Sequence, residues 1–107
     1  LDDALGPDAE VANPALLERL RVAFARQTPE LIHAMQEAIA GGDAGTLSRL
    51  AHKLKGSLSY FQSGAREVAR KIEAAGHAGD IAAARSLMPA LQIEIDAIAA
   101  RLEKSHA

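Results

Sequence analysis

Residues 43 to 61 read Asp43-Ala44-Gly45-Thr46-Leu47-Ser48-Arg49-Leu50-Ala51-His52-Lys53-Leu54-Lys55-Gly56-Ser57-Leu58-Ser59-Tyr60-Phe61. Apolar side chains fall at Leu47, Ala51, Leu54, Leu58 and Phe61, in alternating steps of four and three, with Leu50 beside them. That spacing stacks them on one face of an α-helix; the period-two alternation of a half-buried strand is missing. Asp43 stands where a side-chain oxygen can accept from the first turn. A helix with one apolar stripe needs other elements to cover it.

The rest of the chain supplies helices and no strands. Asn13-Pro14 is a cap followed by proline at the first helical position, and Leu16, Leu17, Leu20 and Phe24 share a face. Thr28-Pro29 repeats that start signal ahead of Leu31, Ile32, Met35 and Ile39, and Gly41-Gly42 offers a left-handed stop. Beyond the central stretch, Ser63 is placed to cap a helix bearing Val68, Ala69, Ile72 and Ala75 that Gly76 ends. Asp80 opens a long final helix in which Ile81, Ala84, Met88, Leu91, Ile95, Ile98 and Leu102 form the seam, with Pro89 one place off it as an outward-facing kink. Short connections make neighbouring helices antiparallel. The expected architecture is an all-α, up-down antiparallel four-helix bundle with an additional short N-terminal helix, formed by residues 13–107. Residues 1–12, with Gly6, Pro7 and four acids, read as a linker or flexible arm. A start at Leu1 rather than methionine suggests a segment of a longer protein.

Composition narrows the function. A chain of 107 residues has room for one domain. A net charge of -2 and three aromatic residues argue against a nucleic-acid partner, which needs a basic field and stacking rings. Without cysteine there are no disulfides or thiolate metal sites. No spanning run or signal peptide is visible, so no direct membrane contact is expected and the expected compartment is the cytoplasm.

On a helical wheel at roughly 100° per residue, His52 lies roughly 150° from the buried stripe. Its outer strip holds only small residues: Gly45, Ser48, Gly56, Ser59 and Ser63. Gly56 is informative, because glycine in a helix interior costs about 1 kcal/mol relative to alanine, and an exposed site offers no packing reason to accept it. Arg49, Lys53 and Lys55 surround the histidine, and no acid occurs between Asp43 and Glu67. That local field favours an anion. An imidazole in water titrates near ~6.5 and is mostly neutral at about pH 7.5, so it is a competent nucleophile for phosphoryl transfer without a general base. Lys55, one turn along, is placed to hold phosphoryl oxygens. Gly45, Ser48, Arg49, Lys53, Gly56 and Ser59 are the expected partner-docking residues.

These residues resemble a known family. Ala51-His52-Lys53-Leu54-Lys55-Gly56-Ser57 is similar to the signature of histidine phosphotransfer (HPt) domains, in which the phosphorylated histidine is followed by a lysine three places on and a glycine four places on. The helical layout agrees from about Pro14 to Lys104. The resemblance implies a phosphorelay carrier in two-component signalling, accepting phosphate on His52 from a receiver-domain aspartate and passing it to another receiver. It also implies a monomer without cofactor or independent kinase activity, with receiver (response-regulator) domains as partners. Such domains often sit at the end of hybrid sensor kinases, which can be membrane-anchored. The pattern departs at Gln62, where the family often has glycine and this chain has its glycine two places on, at Gly64.

Other readings compete. A helical docking module that binds a receiver without being phosphorylated would share this sequence. A kinase dimerisation domain resembles a histidine followed by an acid, with a proline several places on, whereas Lys53 follows here. His33 is flanked by Glu30 and Glu37 and reads as a surface ion pair, His77 as helix-terminal, His106 as tail. Glu30 to His33 and Glu103 to His106 both read Glu-x-x-His, the di-iron bundle pattern, but the first pair points away from its stripe and the second sits at a frayed end, so no metal is expected.

Overall fold

The computed structural model describes residues 14–61 and 63–106, with side chains as far as Glu103. The expected arm at 1–12, the Asn13 cap and Gln62 lie outside the described residues. Among the described residues there are four α-helices, α1 Pro14–Ala40, α2 Ala44–Ser57, α3 Ala65–His77 and α4 Ile81–His106, with a 3-10 turn at Leu58–Tyr60. They form the expected all-α bundle, about 43 × 25 × 18 Å.

One device makes two of the corners. Gly42 (φ 68°) and Gly79 (φ 72°) adopt the left-handed conformation that ends a helix. The next residue closes the wide turn each time, Asp43 N donating to Ala38 O at 2.8 Å and Asp80 N to Ala75 O at 2.8 Å. Each aspartate then caps the following helix: Asp43 Oδ1 accepts from Thr46 N at 3.1 Å and Asp80 Oδ1 from Ala83 N at 3.0 Å. Stop and start share two residues, so α1 and α2, and α3 and α4, fold back on each other.

Three boundaries differ from expectation. The expected additional N-terminal helix is the first half of α1, which runs through Thr28-Pro29 without a break. Proline removes the N–H that would donate to Ala25. Ala25 and Pro29 are both exposed, so water can serve that carbonyl, while Phe24, Thr28, Leu31, Ile32, Met35, Ala38 and Ile39 keep one buried stripe on either side of the proline. Tertiary packing outweighs the local signal. The central helix stops at Ser57, and Phe61 lies beyond it in extended backbone (φ -120°, ψ 136°). Phe61 still packs edge-on against Phe24 at a centroid distance of 5.3 Å, tying the turn to α1. Gly76 does not end α3: the helix continues to His77, and Gly79 is the left-handed stop. Pro89 faces outward in an otherwise continuous α4.

The core is the stripe side of each helix. Leu47, Ala51, Leu54 and Leu58 are fully buried, as are Met35, Ala65, Ala69, Ile72, Ala84 and Leu91. Tight burial of α2 on one side leaves the opposite side to solvent, and α3 is its most extensive neighbour. No helix among the described residues is long and apolar enough to cross a membrane.

Candidate functional site

α2 is held by its Leu47, Ala51, Leu54 and Leu58 stripe, and this turns His52 outward with 69 % of its side chain accessible. Gly45, Gly56, Ser59, Arg49 and Lys53 are exposed with it. A Cβ added at Gly56 would meet nothing within 4 Å, so the missing side chain leaves open surface one turn from the imidazole. Ser59 Oγ donates to Gly56 O at 2.7 Å, and Ser57 Oγ to Lys53 O at 3.3 Å, so both hydroxyls are spent on the end of the helix.

Ser48 is not on this open strip. It is buried at 5 %, its Cβ lies beside the position a Cβ would take at Gly76, and its hydroxyl is 3.0 Å from His77 Nε2. α3 covers it, so Ser48 is removed from the expected docking residues. Ser63 is half-buried and is not the cap expected of it: its hydroxyl accepts from Ala65 N at 3.2 Å, while Gly64 is the N-cap of α3 and no side chain caps it.

The acid missing from the local sequence arrives from α3. Glu73, with 14 % of its side chain accessible, accepts from His52 Nδ1 at 2.8 Å on Oε2 and from Lys55 Nζ at 2.8 Å on Oε1. The Lys55 hydrogen bond, aided by that from His52, holds the Glu73 carboxyl below the usual glutamate range, against the opposing effect of burial. An ionised carboxylate can only accept, so Nδ1 of His52 carries a proton, and in the uncharged form of the ring the lone pair lies on Nε2. His77 Nε2 lies 3.9 Å from the same Oε2, so two histidines and a lysine converge on one carboxylate.

The expected cluster of cations around His52 is therefore divided. Lys55 is paired with Glu73, Arg49 Nη2 donates to Thr46 Oγ1 at 3.0 Å, and Lys53 is exposed. Glu73 is not among the residues expected from the sequence, although α3 carries a signal for it: Ala69 and Gly76 flank it on its own face, and small residues mark a close helix approach. His33 behaves as expected, with Nε2 3.5 Å from Glu37 Oε2. No cluster among the described residues is suited to a metal ion. The groove of about 420 Å³ between α1 and α4, floored by Phe24, Ile32, Ile95 and Leu102, contains none of the residues around His52.

In comparisons with known proteins, the family model described as Hpt domain matches residues 19–101, which is most of the chain. The chain matches no curated protein and no solved structure.

Proposed function

We propose that this chain, which belongs to the Hpt domain family, carries a phosphoryl group on Nε2 of His52 between the aspartates of receiver domains. Family membership establishes the general role, histidine phosphotransfer within a phosphorelay. The acceptor atom and the parts played by the neighbouring residues are our reading of the site.

In that reading the Nε2 lone pair attacks the phosphorus of an aspartyl phosphate. The P–O bond to the receiver breaks, and its electron pair returns to the aspartate as a carboxylate. The imidazole becomes positively charged as the P–N bond forms, with its proton still on Nδ1. Glu73, already on that proton, stabilises the charge without moving, as a preorganised dipole or ion does. Lys55 supplies the cation beside the phosphoryl oxygens, and Gly56 and the other small residues let the receiver come close. The reverse sequence delivers the group to a second receiver.

The observation that carries the proposal is the pairing of an open imidazole with an ionised carboxylate through Nδ1, which leaves Nε2 as the nucleophilic ring nitrogen. The test is incubation with phosphorylated receivers, following the label. Label is expected on wild type, stable to base and labile to acid as a phosphoramidate is, and absent from His52→Gln. Label that persists in His52→Gln, or none on wild type from any receiver tried, refutes the assignment.

A further inference from the structure

Glu73 is useful only if α3 lies close enough to α2 for a carboxylate to bridge His52 and Lys55, and one residue controls that approach. Gly76 is buried one turn beyond Glu73 on the same face of α3. Its φ is not in the left-handed region, so conformational freedom does not account for it. Space does: a Cβ there would stand 3.0 Å from Ala44 O, Ser48 N and Ser48 Cβ, on the first turns of α2. Two of those three atoms are backbone and cannot rotate away. Ser48 in turn lies one turn before His52 on α2, so the helix crossing and the His52–Glu73 contact are about 5 Å apart along both helices.

From this we infer that Gly76 is a positioning residue for His52: its missing side chain sets the spacing of α2 and α3 at which Glu73 holds Nδ1. The inference rests on the phosphotransfer reading for its consequence and on the geometry for its cause. Cβ atoms very rarely approach other heavy atoms that closely, so a methyl group at Gly76 must part the helices locally by a few tenths of an ångström. Carried to the neighbouring turn, that lengthens a 2.8 Å contact toward the ~3.2 Å limit of a useful hydrogen bond. Lys55 and His52 hold opposite oxygens of the carboxylate, so Glu73 cannot swing to keep one without loosening the other.

The experiment uses Gly76→Ala and, from the other side of the crossing, Ser48→Thr, which adds a methyl group to α2 and keeps the hydroxyl. Two properties are read: the tautomer of His52 from its ring ¹⁵N shifts, and the rate of labelling by phosphoramidate. In the folded variants the Nδ1–H tautomer is expected to lose its dominance, and labelling to slow by about fivefold, as for loss of Glu73 itself. In a Glu73→Gln background, Gly76→Ala should change the labelling rate by less than about twofold, because the contact it acts through is already gone.

A retained Nδ1–H tautomer overturns the inference, as does an equal effect with and without Glu73. Unfolding of both variants also overturns it, since the crossing then serves the fold alone. The tautomer needs no phosphate to be measured. Failure of wild type to take label thus counts against the phosphotransfer reading and leaves this inference to be judged by the ¹⁵N shifts.

Discussion

Substituting Gly56 by leucine should make the domain more stable and less active. The backbone there is ordinary right-handed helix and a Cβ meets nothing within 4 Å, so the new side chain enters solvent without strain. Leucine exceeds glycine in helix propensity by up to about 1 kcal/mol in a helix interior. Gly56 is the penultimate residue of α2, where the last turn is less constrained, so about half of that is expected. For a domain of this size about 0.5 kcal/mol corresponds to a rise in Tm of roughly 2–4 °C. Activity should move the other way. A receiver must bring its aspartyl phosphate to bonding distance of Nε2, and a side chain on the adjoining turn holds the docked surface away. A misplacement of ~1 Å can cost about 10²-fold in rate, so transfer from the cognate receiver should fall by about that factor or more. Phosphoramidate, which needs no flush surface, should label His52 in the variant at close to the wild-type rate. The assay is the ratio of receiver transfer to direct chemical labelling, measured beside a thermal melt. An unchanged ratio, or an unfolded variant, would show that Gly56 serves packing and that the docking face has been misread.

Other outcomes follow from the same geometry. His52→Gln should leave the melting curve within about 1 kcal/mol of wild type, because the side chain is largely exposed and only its bond to Glu73 is lost, and a larger loss of stability would mean it has a structural role. Glu73→Gln removes a charge-assisted bond which, at an imidazole this open to water, contributes about 1 kcal/mol, so labelling by phosphoramidate should slow roughly fivefold; an unaltered rate removes Glu73 from the mechanism. Lys55→Ala should slow transfer without moving the site, and wild-type transfer should weaken as salt rises; a rate indifferent to both would leave this cation without a part in the chemistry. Acid should also separate wild type from Glu73→Gln. The Glu73 carboxyl is depressed in the folded state, so the stability it adds is complete above the ordinary glutamate range and is lost as the pH falls through the lowered folded value. The difference in unfolding free energy between the two proteins should therefore shrink below that range, and a constant difference across it would contradict the pairing.

What was legible in the sequence is what depends on neighbours a few residues apart. The steps of four and three in Leu47, Ala51, Leu54 and Leu58 determine the buried side of α2, and with it the exposure of His52 and the open surface at Gly56. The same holds for the Gly42-Asp43 corner and for Asp80 as the cap of α4, because a left-handed glycine and a capping aspartate act within one turn; the Gly79 stop was not among them. Only the tertiary structure decided the remainder. Pro29 lies inside a helix because burial on both sides of it outweighs one missing hydrogen bond. Ser48, outward on an isolated wheel, is covered because α3 crosses there, and Gly76 is a point of helix contact where a local reading finds a terminus. Glu73 reaches His52 across 21 residues of chain. Periodicity encodes which side of a helix is buried, whereas the partner that covers it, and the charge that partner brings, come from the spacing and direction of two helices packed together, which no single stretch of chain contains.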